Sequence, residues 1–205
     1  MALANYGDLK SAVASYLNRS DLTSYIPDFI RLAERRISYG SDQPFPSLPV
    51  RVPAMQATAT GTTSGSIAYP TGFLEVIRLA CSDGNYSWDL EYATNATYTS
   101  YANKSDRPAV YSFLGNAIKT AGTGSASYTL DHYAALTALS ADGDTNWLIT
   151  NAPDVYLFGA LLESAPFIQD LQMVQGWHGM YRSIVGSLNR NSMKPSGGSM
   201  RVRAN

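Results

Sequence analysis

The sequence is poor in charged residues, cysteine and histidine. Charged residues make up 15% of the 205 positions, whereas about 25% is typical of globular domains. The only cysteine is Cys81, so a disulfide within the chain is impossible. The two histidines, His132 and His178, lie far apart in the sequence and there is no cysteine pair. We therefore predict neither a metal site nor a bound cofactor.

The chain also lacks a long apolar run. Its longest uncharged stretch, residues 52–74, is rich in Thr, Ser and Gly, and such a segment cannot span a bilayer. The first residues show no basic region followed by an apolar one, which a signal peptide requires. We expect no membrane association and no secretion.

Hydroxyl and aromatic residues take the place of the missing charge. The chain has 23 Ser, 15 Thr and 14 Tyr, and apolar residues make up 45%, a value typical of folded domains. A surface built from hydroxyl groups instead of Lys and Glu indicates that neighbouring proteins cover much of it.

The net charge of −1 hides an asymmetry along the chain. Residues 1–170 hold ten basic and sixteen acidic side chains, a net −6, whereas residues 171–205 hold five basic side chains and no acidic one. The last thirteen residues, 193–205, form a basic segment with a Gly-Gly pair. Two interpretations stay open: a terminus without a role, or an arm that docks into an acidic groove.

Apolar periodicity predicts helices at both ends of the chain. Residues 5–17 have an apolar face with the spacing of a helix, and a second helix begins near Asp21 and Pro27 and ends at Gly40. A buried third helix begins at Pro153 and breaks at Pro166. A last helix over about 169–190 carries a near-heptad apolar seam, which we interpret as a subunit interface formed by Leu171, Val174, His178, Tyr181, Val185 and Leu188.

The middle of the chain has a different pattern. Four prolines between residues 44 and 53 predict an extended linker, and residues 54–140 alternate in short runs separated by turn signals such as Asp83-Gly84. Residues 61–65 are predicted to be a loop, 86–92 a single returning strand, and 93–106 a short helix.

Together these patterns predict an α+β fold, in which N- and C-terminal helices form a bundle with an inserted antiparallel β module. The predicted parts are residues 1–42 with 150–192 as the bundle, 43–149 as the β module with its Pro-rich linker, and 193–205 as a flexible basic segment.

No set of residues indicates catalysis, so we expect a protein that is not an enzyme. Glu163 lies on an apolar helix, where it is either a carboxyl group with a raised pKa or the partner of Arg31, Arg35 or Arg36. The Asp142-Gly-Asp144 run fits a turn better than a calcium loop, since the rest of the calcium motif is missing.

The β module is rich in aromatic residues. Side chains such as Tyr86, Trp88 and Tyr101 suit a protein interface, stacking against a sugar, or ordinary sheet packing. A module that binds a glycan or a receptor is therefore the alternative function.

Several segments resemble the head-to-tail adaptor (connector) proteins of tailed bacteriophages, a group that includes podophage tail tubular protein A-like subunits. They occur in matching order along the chain: YGDLKSAVASYLNRSDL (6–22), IPDFIRLAERRI (26–37), YPTGFLEVIRL (69–79) and the run from 139 to 163 that ends in NAPDVYLFGALLE.

The resemblance implies a structural virion component at the head-to-tail joint, assembled in the host cytoplasm. Such proteins form a ring, usually of twelve subunits, that docks on the portal protein, extends the DNA channel without sequence-specific binding, and meets a tail or nozzle protein. In these relatives the helical part forms the ring body and the C-terminal segment contacts the portal. On that basis the candidate portal-binding residues are Lys194, Arg201, Val202 and Arg203.

Overall fold

A computed structural model of the chain describes residues 3–101, 107–122 and 124–192. Its helices are α1 (Tyr6–Leu17), α2 (Ile26–Tyr39), α3 (Asn95–Tyr101), α4 (Trp147–Asn151), α5 (Pro153–Glu163) and α6 (Leu171–Ser192). Its strands are β1 (Gln56–Thr63), β2 (Ser66–Ala68), β3 (Phe73–Ser82), β4 (Ser87–Asp89), β5 (Glu91–Tyr92), β6 (Val110–Leu114), β7 (Ala117–Ala121) and β8 (Ala126–Ala134). The predicted α+β class is confirmed.

The chain divides into two compact units. A helical unit combines Met1–Ala54 with Leu136–Asn205, and a β unit comprises Met55–Ala135. The predicted β module comprised residues 43–149. The structure instead assigns its two outer segments, residues 43–54 and 136–149, to the helical unit. For the Pro-rich segment the reason is hydrogen bonding, since its backbone and side chains are bonded to α2 and α6.

Helix α1 begins and ends at residues with the expected chemistry. The Asn5 side chain accepts a hydrogen bond from the Asp8 amide at 2.9 Å, which satisfies an amide that has no partner within the helix. Asn18 ends the helix in the left-handed conformation, with φ 47°. The predicted apolar face is buried except for Tyr16, which is 53% exposed.

Helix α2 follows a short 3-10 helix, Ser20–Tyr25. Pro27 occupies its first turn, and Gly40 follows its last residue with φ 73°. Its predicted apolar face is buried and consists of Ile26, Phe29, Ile30, Ala33 and Ile37.

Helix α5 is the centre of the helical unit. It packs against α1, α2, α4 and α6, and this explains why its sequence is apolar nearly all round. A Cβ atom at Gly159 would lie 3.1 Å from the Ala33 Cβ and 3.3 Å from the Tyr181 ring, so glycine allows α2 and α6 to approach α5 closely. The helix ends at Glu163, and a 3-10 turn that contains Pro166 follows it.

The β unit consists of two four-stranded sheets. Their orders are β1-β8-β3-β4 and β2-β7-β6-β5, and every pairing is antiparallel except β5 with β6. Buried side chains from both sheets, including Ile67, Leu79, Ile118 and Leu130, form one apolar core. The arrangement is a sandwich.

Two parts of the β prediction were wrong in detail. Strand β1 continues to Thr63, so only the end of the predicted 61–65 loop is a turn. The single strand predicted over 86–92 divides into β4, which pairs with β3, and β5, which pairs with β6. Leu90 between them is 6% exposed and its amide donates a hydrogen bond to the Leu79 carbonyl. The chain passes from one sheet to the other at this buried residue.

Candidate assembly surfaces

The seam of α6 faces the interior of its own unit. Val174, Tyr181 and Val185 are at most 1% exposed, because α6 packs on α5. A buried side chain has no surface to offer a second subunit, so these three residues are removed from the predicted interface. Only Leu171, which is 70% exposed, and the partly exposed His178 and Leu188 remain accessible.

An ion pair joins α2 to the end of α5. The Arg36 Nε atom lies 2.6 Å from Glu163 Oε1, and the two side chains are 7% and 18% exposed. Arg36 Nη1 also donates to the Phe45 carbonyl at 2.7 Å. Of the two interpretations of Glu163, the partner of an arginine is confirmed, and the arginine is Arg36.

A cleft of about 290 Å³ opens beside this ion pair. Its walls are largely apolar and come from the Pro-rich segment, the end of α5 and the start of α6: Pro44, Phe45, Leu162, Pro166, Leu171 and Val174. The charges of Arg36 and Glu163, which also line the cleft, neutralise each other there.

The Pro-rich segment is fastened to the helices and is not a free linker. His178 Nε2 lies 2.9 Å from the Pro46 carbonyl oxygen. The His178 ring also packs on the Phe45 ring, with 5.5 Å between the two ring centres. The Asn189 side chain accepts from the Arg51 amide and donates to the Pro49 carbonyl, at 2.9 and 2.8 Å. The His178 side chain, predicted to lie in a subunit interface, is therefore already engaged in contacts inside its own unit.

An exposed apolar stripe, called the α2 stripe below, runs along α2 and begins at Tyr25, the residue just before the helix. Tyr25, Leu32 and Tyr39 are 47%, 47% and 65% exposed, and residues seven apart lie nearly in line along a helix. Phe167 extends the stripe, since its ring lies 5.6 Å from that of Tyr25 and it is 42% exposed. The sequence pattern missed this surface because the more regular apolar periodicity of α2 marks its buried face.

An arginine packs against part of the aromatic cluster of the β unit. The Arg107 guanidinium lies 5.2 Å from the Trp88 ring centre and 5.9 Å from that of Tyr86, and it pairs with Asp83. Trp88 Nε1 donates to the Pro108 carbonyl at 2.6 Å. A sugar that stacks on the same ring faces would compete with Arg107, whereas the rest of Tyr86 stays accessible, since its side chain is 69% exposed.

The side chains of Cys81, His132 and Asp144 could in principle take part in chemistry, but each has a role in the fold. Burial raises the pKa of the Cys81 thiol to about 11, so the group stays protonated and unreactive near neutral pH. His132 is buried and its ring lies 5.7 Å from that of Phe73. Asp144 accepts hydrogen bonds from the Ser140 and Ala141 amides, which confirms the turn predicted there.

The described residues hold neither a group of metal ligands nor a helix fit to span a membrane. Within 3–101, 107–122 and 124–192, no three His, Cys, Asp or Glu side chains are grouped closely enough to hold a metal ion. No helix in these ranges has both the length and the apolar character needed to cross a membrane. The candidate portal-binding residues Lys194, Arg201, Val202 and Arg203 lie outside the described part of the chain.

A family model described as SU10 adaptor protein matches residues 4–203, nearly the whole chain and both of its units. No curated protein matches the chain.

Proposed function

The chain belongs to the SU10 adaptor protein family, and from this premise we propose that it forms an oligomeric ring, of twelve subunits, at the head-to-tail joint of a bacteriophage. Family membership itself makes it a structural adaptor protein of a phage and a component of the virion. The proposal adds the ring, its docking on the portal protein, the continuation of the DNA channel, and the attachment of a tail or nozzle protein.

The main support for a ring is that the helical unit has exposed apolar side chains on two different helices. Leu32 and Tyr39 of the α2 stripe lie on α2, whereas Met173 and Met180, 39% and 53% exposed, lie on α6. A closed ring needs two different surfaces on each subunit, because each copy contacts one neighbour with one surface and the next neighbour with the other.

The charge distribution supports a channel through which DNA slides. Residues 1–170 carry a net −6, and a wall of that sign repels phosphate instead of holding it. Such a wall leaves DNA free to pass without sequence-specific binding.

We assign portal docking to the C-terminal segment. It follows α6 directly and holds Lys194, Arg201 and Arg203 without any acidic side chain, so it suits an acidic groove. Val202 between the two arginines supplies an apolar contact.

Native mass spectrometry of the full chain mixed with the phage's own portal protein tests the proposal. We expect a complex with twelve adaptor subunits on each portal. Replacement of Lys194, Arg201 and Arg203 by Gln should weaken docking at least tenfold, whereas replacement of Arg78 and Lys119 in the β unit by Gln, the control, should not. A chain that stays monomeric and never joins the portal contradicts the ring, and unchanged docking of the Gln variant contradicts the role of the C-terminal segment.

A further inference from the structure

An open groove of about 520 Å³ lies in the β unit beside β4 and β5. Its aromatic side chains are Tyr86, Trp88 and Tyr101, and residues 107–110 form another part of its wall. The two tyrosines are 69% and 44% exposed. Exposed tyrosines provide a large contact area with a polar tip, as protein interfaces require, so the groove is a candidate binding surface.

The charged side chains that line the groove do not balance one another. They are Asp89, Glu91 and Arg107. Asp89 Oδ1 lies 2.7 Å from Arg78 Nη2, and Arg107 pairs with Asp83, so each of these two has its counter-ion. Within the part of the chain that the structure describes, Glu91 is exposed and its carboxylate has no ion pair or hydrogen bond. The groove therefore carries a negative charge that no described residue neutralises.

Arg107 shows which kind of cation fits this groove. Its guanidinium lies 5.2 Å from the Trp88 ring centre and 5.9 Å from that of Tyr86, and the Asp83 carboxylate matches its charge. A guanidinium suits such surroundings because it is planar, stacks on aromatic rings and bonds a carboxylate with two nitrogens. Tyrosine rings and the Glu91 carboxylate supply the same combination a second time in the same groove.

We propose that the groove binds an arginine side chain of another polypeptide of the virion, stacked on the exposed tyrosine rings and bonded to Glu91. An apolar or acidic segment would leave the Glu91 carboxylate covered without a counter-ion, which costs free energy. A lysine ammonium would match the charge but could not stack or bond with two nitrogens as a guanidinium does. The site lies within the β unit, goes beyond the ring proposed above and does not depend on it.

An NMR titration of the full chain with the peptide acetyl-Gly-Arg-Gly-amide tests the site. The signals of Tyr86, Trp88 and Glu91 should shift and reach saturation, whereas those of β1, at the other edge of the sheet that contains β4, should not. The same peptide with citrulline, which has the shape of arginine without its charge, should bind about tenfold more weakly.

Variants of the carboxylate complete this test. Glu91→Gln keeps the size of the side chain and removes its charge, so it should weaken binding of the arginine peptide about fivefold. Asp42→Asn, which changes an exposed carboxylate of the helical unit, is the control and should leave binding unchanged. Equal binding of the two peptides, or equal binding by Glu91→Gln and the wild type, overturns the inference. Binding that appears only in Lys104→Gln also overturns it, because Lys104 of this chain would then neutralise Glu91.

Photo-crosslinking in the assembled particle tests the source of the arginine. Benzoylphenylalanine in place of Ser87, an exposed residue that lines the groove, should crosslink to an arginine-containing peptide of another virion protein, and Glu91→Gln should lower the yield about fivefold. Benzoylphenylalanine in place of Thr60, exposed on β1, is the control and should not give this product. A Ser87 product without arginine, or no product, overturns the inference.

The outcomes separate this inference from the proposed function. A chain that forms complete rings on its portal but does not bind the arginine peptide overturns the inference alone. A chain that binds the peptide at Glu91 but forms no ring overturns the ring alone.

Discussion

The helical unit and the β unit are held together in different ways. In the helical unit, side-chain bonds connect parts of the chain that lie more than 100 residues apart, as in Arg36–Glu163, Glu34–Leu139 and Asn189–Arg51. The β unit is one continuous segment, and backbone ladders between its strands hold it together. The helical unit therefore requires both ends of the chain, whereas the strands of the β unit pair with one another within one segment.

Charge is also used differently in the two units. The helical unit buries the Arg36–Glu163 pair. The β unit keeps the Arg78–Asp89 pair at the surface, with side chains 52% and 61% exposed, and buries neutral pairs such as the Thr63 and Thr120 hydroxyls at 3.1 Å. Loss of one charge should thus have a large effect in the first unit and a small one in the second.

The largest effect is expected from Glu163→Ala. It leaves the Arg36 guanidinium buried without its carboxylate, which costs about 3–5 kcal/mol in the free energy of unfolding. Chemical denaturation measures the cost, and hydrogen exchange should show faster opening in α2 and α5 with little change in β3 and β8.

The exposed pair of the β unit is the control for this prediction. Asp89→Ala should change stability by less than about 1 kcal/mol. Equal losses from Glu163→Ala and Asp89→Ala would contradict the contrast between the two units.

A somewhat smaller effect, confined to the other unit, is expected from Leu130→Ala. Leu130 is fully buried in the sandwich core, and its truncation leaves a cavity that costs about 2–5 kcal/mol. Exchange should accelerate in the β strands and not in α5. Unfolding of both units together in this variant would show that the β unit does not hold its structure independently.

The smallest effect concerns pH. Burial raises the pKa of Glu34, although hydrogen bonds from the Leu139 amide and the Tyr156 hydroxyl oppose the shift. A carboxyl with a raised folded-state pKa contributes stability below its ordinary pKa, and this contribution is lost as pH rises through the folded-state value. In Glu34→Gln the stability should fall less between pH 4 and pH 7 than in the wild type, as parallel urea titrations would show. Identical pH profiles would indicate that Glu34 keeps its ordinary pKa in the folded chain.

Local patterns predicted most of the secondary structure because the determining residues lie close together in the sequence. Asn5, Pro27 and Gly40 placed the ends of the first two helices, and Pro153 and Pro166 bounded α5. The short elements β2 and α4 were missed, because three to five residues are too few to show a period.

The candidate surfaces were less predictable. The apolar seam of α6 has the same pattern whether it faces its own α5 or a neighbouring subunit, since both partners require apolar side chains at the same spacing. The Pro-rich segment looked like a linker because the bonds from His178 and Asn189 come from residues more than 130 positions away. Neither the packing of α6 on α5 nor these bonds to the Pro-rich segment can be recognised from the local sequence.

The sequence by itself determined the α+β class, the order of its parts and the family. For Glu163 it offered three arginine partners beside the alternative of a carboxyl group with a raised pKa. Each of these depends on residue types, their spacing and the order of segments along the chain. Only the tertiary structure decided which apolar faces stay exposed, that Arg107 lies against the Tyr86 and Trp88 rings, and that β1 is an eight-residue edge strand. Exposure depends on what packs against a residue, and in this chain the packing partners come from distant parts of the sequence.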